Sequence, residues 1–288
     1  MNIETRLSRS IDTGRHHRRI GEILQSDGVL AETDVRRVLA AQSTRKTRFG
    51  ETAIALRLIT KSQLRSALAQ QFNYPIATGT STLSPLLVAA YEPDCTYAEA
   101  LRTLRSELLL RWFGEQGSML AVVSTDPDDG ASALAANLAI SIAQLGERTL
   151  LIDLDLRRPA QHTLFGLDSR HGMSDVLDGH VDIEELAIEE PFPQLHVLSA
   201  GTHAPNPQEL LSRPRFAHTL QVLAARFDAV ILDTPPLNGC ADAQLIAARA
   251  GASLLVARRH RTLVPDLERL RAQITTSGAR LLGAVMNE

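Results

Sequence analysis

The sequence predicts an α/β fold, with a parallel sheet covered by helices on both faces and a small helical repeat domain ahead of it. Three observations lead there. Short apolar runs bounded by turns alternate with helical stretches in the second half of the chain. A strand, a glycine-bearing loop and a helix follow one another from residue 119. A unit in the first quarter recurs at an offset of 29 residues, Arg19 to Arg48.

Composition sets the bounds. A chain of 288 residues has room for about two domains, and 44% hydrophobic with 22% charged residues suits a packed core. Thirty basic against 33 acidic side chains give a net charge of -3, so no global basic field draws nucleic acid or anionic lipid. Any anion must be met locally. No apolar run approaches the ~18 residues of a spanning helix, and the opening MNIETRLSRSIDTGRHHRR lacks the apolar core of a signal peptide. A cytoplasmic protein without a membrane span or nucleic-acid partner is expected. Cys95 and Cys240 form neither a disulfide framework nor a metal cluster. Lys46 and Lys61 are the only lysines.

The repeat aligns RIGEILQSDGVLAETDVRRVLAAQ, Arg19 to Gln42, with RFGETAIALRLITKSQLRSALAQQ, Arg48 to Gln71. Each copy predicts a short helix, a turn and a longer helix, with Leu30, Val35, Val38 and Leu39 on one apolar face and Thr33 and Ser62 as caps. Asn73, Tyr74 and Pro75 end the pattern, so the repeat domain should occupy 19–76, after a basic segment at 1–18. These motifs resemble the MshE-type module of type II secretion and pilus assembly ATPases, which binds cyclic di-GMP. Motif two departs from that pattern, with Arg57 where motif one has Gly28. The resemblance implies cyclic di-GMP contacts from Arg19, Gly21, Gln42, Arg48, Gly50 and Gln71. Arginine forks suit guanine edges and phosphates, and glycines admit close backbone approach. Such repeats also serve purely as docking domains.

Residues 77–95 read as a linker with one docked apolar segment, and 96–288 as the second domain. Tyr97 to Trp112 is a helix carrying Glu99, Arg102 and Arg105 as E-x-x-R-x-x-R. MLAVVSTDPDDGASALAANL then places a loop between strand and helix, and LLIDLDLRRP, LHVLSAG, FDAVILDTPP, ASLLVARR and LLGAVMN give further strands. Buried strands alternating with helices imply a ligand at the carboxyl ends of a parallel sheet. This set resembles the P-loop domain of the bacterial tyrosine kinases of CpsD/CapB and Wzc type, relatives of MinD-like ATPases, and especially their EpsG-type chain-length determinant kinases.

That resemblance implies ATP and Mg²⁺ as cofactors. It assigns catalysis to Asp153, Asp155 and Asp233, metal binding to Ser132, Asp153 and Asp233, and nucleotide binding to Gly130, Ala131, Ser132, Arg157 and Asn287. Glu99, Arg102 and Arg105 match a ring-forming motif; the alternative is an exposed helix with i, i+3 charge pairs. The implied partner is an inner-membrane chain-length determinant protein, a polysaccharide co-polymerase, which would hold the chain peripherally at that membrane as a homo-oligomer. The phosphate loop is degenerate, however. The family's P-G-E-G-K-S-T is here Pro127, Asp128, Asp129, Gly130, Ala131, Ser132, Ala133. Losing the lysine removes one preorganised contact to the phosphates, about 3 kcal/mol or a hundredfold in rate. Rescue would need Arg157, Arg158, Arg259, Arg261 or a neighbouring subunit. The tyrosines Tyr74, Tyr91 and Tyr97 all precede the core, so a partner's tyrosines are the expected acceptors. Two functions follow: an ATP-dependent tyrosine kinase of exopolysaccharide chain-length regulation, or a pseudokinase scaffold of the same machinery.

Overall fold

The computed structural model describes residues 19–45, 47–60, 63–64, 66–68, 83–114, 116–168, 171–186, 188–237 and 240–288. The chain divides into two compact units, Met1–Ser81 and Thr82–Glu288.

In the first unit, α1 (Ile20–Ser26), α2 (Glu32–Arg45) and α3 (Phe49–Ala55) carry the repeat. Its two copies use the same local chemistry. The Arg19 N–H donates to Glu22 Oε2 and the Arg48 N–H to Glu51 Oε2, each closing the first turn of a short helix. The turn after each short helix is left-handed, at φ 70° for Gly28 and 56° for Arg57, so the turn survives where the glycine does not. Burial repeats too. Leu24, Leu30 and Val38 lie in the core with Ala53, Ile59 and Ala67 at the matching positions.

Two expectations for this unit are corrected. The longer helix of the first copy begins where Ala31 N–H donates to Asp34, so Thr33 lies inside it rather than capping it; in the second copy Thr60 N–H donates to Gln63, and Ser62 is outside the described residues. Leu39, expected in the apolar face, is 52% exposed.

The second unit holds seven strands: β1 (Met119–Ser124), β2 (Thr149–Asp153), β3 (Glu189–Phe192), β4 (Leu195–Leu198), β5 (Ala229–Asp233), β6 (Ala252–Arg258) and β7 (Arg280–Asn287). Their order is β3-β4-β2-β5-β1-β6-β7, and every neighbouring pair is parallel except β3 with β4. β2 and β5 are buried at every position. Because successive side chains leave opposite faces, both faces of the sheet centre are covered. β3, reading EEPF, joins the edge antiparallel and has no apolar run to announce it.

The crossover from β1 passes over β5 to β2, whereas the chain leaving β5 crosses β1 to β6. The order therefore reverses between β5 and β1, and the loops beyond their carboxyl ends open a crevice there. α6 (Ala131–Ala143) follows β1 and is almost wholly apolar and buried. Its polar residues are Ser132, Asn137 and Ser141; Asn137 Oδ1 accepts the Ala89 N–H at 2.8 Å, and Nδ2 donates to the carbonyls of Leu86 and Ala133. These bonds dock α4 (Val88–Tyr91), so the described part of the expected linker packs into the second unit, with Leu87 fully buried.

Candidate nucleotide and metal site

Asp153 ends β2 and Asp233 ends β5, and the two are direct partners across the ladder. Parallel partners leave the same face, which brings the two carboxylates together at the switch point. Ser132, in the first turn of α6, donates Oγ–H to Asp233 Oδ1 at 3.1 Å. Gln161 opens α7 (Gln161–Phe165) and donates Nε2–H to Asp233 Oδ2 at 2.7 Å and to the Ser132 carbonyl at 3.1 Å. Asp153 Oδ2 accepts the N–H groups of Ala160 and Gln161, both at 2.9 Å, and Oδ1 accepts that of Asp155. Ser132, Asp153 and Asp233 are thus brought together, with Gln161 between them.

Both carboxylates are fully buried. Burial pushes Asp153 up to about 7; the N–H groups of Gln161 and Ala160 oppose this, and the neighbouring Asp155 charge adds to it. Burial and then the Asp153 charge push Asp233 well above the usual carboxylate range, against the donors Gln161 and Ser132. Two carboxylates in low dielectric favour a counter-cation, since a divalent ion would offset both the desolvation and their mutual repulsion. The donor set of one hydroxyl and two carboxylates is all oxygen and fits Mg²⁺, which takes one or two carboxylates and completes its shell with water and substrate phosphate. Among the described residues no group of three or more His, Cys, Asp or Glu side chains forms a separate metal centre.

Asp155 Oδ1 accepts the N–H groups of Arg157 and Arg158, leaving Oδ2 without a protein partner among the described residues. Arg157, expected at the nucleotide, instead donates Nε–H to Asp242 Oδ2 at 2.7 Å. Asp242 is buried at the start of α11 (Asp242–Ala250) and pairs with that guanidinium. α8 (Met173–Asp178), α9 (Pro207–Ser212) and α10 (Pro214–Ala224) complete the helices before it, and α12 (Val264–Thr276) follows β6.

The phosphate loop is braced from within. Pro127–Asp129 form one 3₁₀ turn, and Gly130 follows at φ 82°. Asp129 is buried; Oδ2 accepts from the Thr125 N–H, the Thr125 hydroxyl and the Asp126 N–H, and Oδ1 accepts from the Thr262 hydroxyl at 2.6 Å. Asn287, at the end of β7, donates Nδ2–H to the Asp129 carbonyl at 2.8 Å, and a Cβ at position 130 would come within 2.7 Å of that nitrogen. Asn287 therefore supports the loop, and only glycine fits against it. Asp128 is held by Arg261 at 3.2 Å, and its carbonyl accepts from Arg258. Ala131 is buried and brings no charge. Of the arginines that might replace the lysine, Arg157 and Arg261 are paired with aspartates and Arg259 lies 3.8 Å from Glu288.

The E-x-x-R-x-x-R helix is α5 (Thr96–Arg111). Arg102 pairs with Glu99 and donates to the Pro93 carbonyl at 2.6 Å. Arg105, expected on the surface with them, is buried and donates to the Ser141 carbonyl of α6 at 2.8 Å. An external contact through this motif is left to Glu99 and Arg102. In the repeat unit, a Cβ on Gly50 would meet the Leu64 side chain at 2.4 Å, so that glycine is required for helix packing, whereas one on Gly21 would make ordinary contacts from 3.4 Å. Arg19 and Arg48 are exposed at equivalent positions. Gln42 lies in α2, and Gln71 is outside the described residues.

A family model described as an AAA domain matches residues 121–261. Tyrosine-protein kinase YwqD of Bacillus subtilis is 35% identical over 201 residues, covering 70% of this chain and 85% of that protein. The chain belongs to the bacterial tyrosine-protein kinase family. Tyrosine-protein kinase wzc of Salmonella typhimurium is 32% identical over 201 residues, and the match spans 28% of its length. Among solved structures, the kinase domain of Escherichia coli tyrosine kinase ETK superposes with a TM-score of 0.68 at 31% identity, covering 73% of this chain and 82% of that one. The chimerical protein CapA2B2 superposes at 0.67 and 31% identity, covering 77% of this chain and 97% of that one. The cell division ATPase MinD of Pyrococcus furiosus, at 23% identity and TM-score 0.52, shares the fold. Among the described residues no helix of this kinase-family chain is long and apolar enough to cross a membrane.

Nothing in the sequence singles out Gln161 or Thr262. Neither belongs to a motif, and both act through contacts distant in sequence.

Proposed function

We propose that this tyrosine-kinase-family chain is an EpsG-like ATP-dependent protein tyrosine kinase of exopolysaccharide biosynthesis and export, with its turnover held low by the phosphate loop. The observation that carries this reading is the ordered set of Ser132, Asp153 and Asp233. Two fully buried carboxylates are costly to keep unless a cation compensates them. Mg²⁺ on this set would neutralise charge on the transferring phosphoryl group. The backbone N–H groups of the first turn of α6 would meet the phosphates, favoured by the helix dipole. Asp155, with one free carboxylate oxygen, would take the proton of the acceptor phenol.

The same loop supports a second reading, a pseudokinase scaffold of the same machinery. Ala131 supplies no charge where phosphate charge develops, and Asp128 adds a carboxylate beside it. In either reading the partner is an inner-membrane chain-length determinant protein of the polysaccharide co-polymerase type, with the chain cytoplasmic, peripheral to that membrane and oligomeric through Glu99 and Arg102. The MshE-type repeat would tune the assembly by binding cyclic di-GMP through Arg19, Gly21, Gln42, Arg48, Gly50 and Gln71. Replacing both Arg19 and Arg48 by alanine should weaken that binding at least about tenfold, roughly the loss of one charged hydrogen bond; no heat on titrating cyclic di-GMP into the wild-type chain would refute it.

The test of the nucleotide reading is calorimetric titration of the full chain with Mg-ATP beside its Ala131→Lys variant. Binding by both, tighter in the variant, supports the kinase. Binding by the variant alone selects the pseudokinase, and silence from both ends the nucleotide reading.

A further inference from the structure

Gln161 is fully buried, and its two amide atoms are treated unequally. The nitrogen donates to the Ser132 carbonyl at 3.1 Å and to Asp233 Oδ2 at 2.7 Å. Its backbone N–H goes to Asp153 Oδ2. The amide oxygen Oε1 is buried with no hydrogen-bond partner. The amide cannot be turned around to relieve this, because a carbonyl and a carboxylate both need the nitrogen facing them. The planar group thus fixes an unused acceptor beside Ser132 and Asp233.

The nearby protein donors are already engaged. Ser132 Oγ–H goes to Asp233, and the N–H groups of Asp155, Ala160 and Gln161 all go to Asp153. A buried acceptor surrounded by engaged donors is satisfied by a donor from outside the protein, a water or a ligand. A hard cation on Ser132, Asp153 and Asp233 carries water, and such water is a strong donor.

We propose that Gln161 is the positioning residue of the cation site: its amide nitrogen holds Asp233 and the Ser132 backbone in place, and its Oε1 accepts a hydrogen bond from a water carried by the cation. The inference rests on the reading that these carboxylates take a divalent cation. The residue would act on the cation from the second layer of contacts, where a lost partner typically weakens binding about ten- to a hundredfold.

Mn²⁺ is the probe, titrated calorimetrically into the full chain with and without ADP, alongside thermal unfolding with and without Mn²⁺. Gln161→Met keeps the length and removes both hydrogen-bonding functions; it should weaken Mn²⁺ about ten- to a hundredfold and shrink the Mn²⁺-induced rise in Tm. Gln161→Glu keeps an acceptor oxygen but loses the nitrogen that donates to Asp233 and to the Ser132 carbonyl, so it should bind Mn²⁺ more weakly than wild type and more tightly than Gln161→Met. Wild-type affinity in Gln161→Met, with only its metal-free Tm lowered, makes the residue a strut and overturns the proposal. Should Gln161→Met not fold, Gln161→Glu decides, and Mn²⁺ affinity equal to wild type there overturns the proposal. A wild-type chain that takes no Mn²⁺, alone or with ADP, overturns the cation reading itself and this inference with it.

Discussion

Ser132 Oγ donates to Asp233 Oδ1 at 3.1 Å, joining the first turn of α6 to the end of β5 across 101 residues of sequence. The hydroxyl and carboxylate expected to share a metal are in contact through the fold itself. Gly130, left-handed and in close approach to Asn287, is the residue from which α6 starts, two positions before Ser132.

Ser132→Ala should therefore act twice. It leaves a buried carboxylate oxygen without its donor, costing about 1–3 kcal/mol in urea unfolding, and it removes a metal ligand, weakening Mg-ATP in calorimetry about tenfold or more. A variant equal to wild type in both would make the contact incidental.

Asp153 gives the metal-free protein a distinct pH dependence. Its folded pKa, about 7, lies above the ordinary carboxylate value, so between those values the folded state holds a proton that the unfolded state has released. The contribution of Asp153 should be greatest near pH 4 and fall as pH rises to about 7, by about 4 kcal/mol at about 1.4 per pH unit, and the raised Asp233 should add a loss in the same direction. Asp153→Asn should make the curve shallower, leaving the part due to buried Asp233, and saturating Mg²⁺ should flatten it. Urea unfolding in a chelating buffer from pH 4 to 8 measures it, and stability rising over that range would contradict the assignment.

Arg57 stands at φ 56° where the first copy of the repeat has Gly28 at 70°. A side chain in that region costs about 1 kcal/mol. Arg57→Gly should stabilise the first unit by roughly that amount and Gly28→Ala destabilise it equally, read from amide exchange of the two turns. Equal exchange in both variants would show that neither turn is strained.

Arg102 and Arg105, three residues apart, should separate in their effects. Arg105→Ala loses a buried bond to the Ser141 carbonyl and should cost about 1.5–3 kcal/mol of stability. Arg102→Glu should leave the fold intact and lower the oligomer mass in light scattering. Unchanged mass with Arg102→Glu would remove this helix from the assembly.

The strands that position the site were legible because strands buried on both faces read as continuous apolar runs, as LLID and AVILD do. Asp153, Asp155 and Asp233 were assigned through the likeness of LLIDLDLRRP and FDAVILDTPP to the kinase family's motifs, and the strand pairing sets Asp153 beside Asp233. β3 was not, since EEPF owes its place to pairing with β4. Helical spacing placed Arg105 beside Arg102, but only the packing of α5 on α6 turns it inward. Gln161 acts on Asp233 across 72 residues and Thr262 on Asp129 across 133, distances at which local pattern carries no signal. Arg157 was assigned to the nucleotide by the resemblance, and its bond to Asp242, 85 residues away, has no signal in the sequence.

The most direct test of the central claim, that the carboxylate half of the site is competent and the missing lysine limits it, is single-turnover phosphate transfer. Wild type and Ala131→Lys would be compared with ATP, Mg²⁺ and a tyrosine peptide. The lysine should raise the rate about a hundredfold, about 3 kcal/mol of transition-state stabilisation. Equal rates, or no transfer by Ala131→Lys, would contradict it.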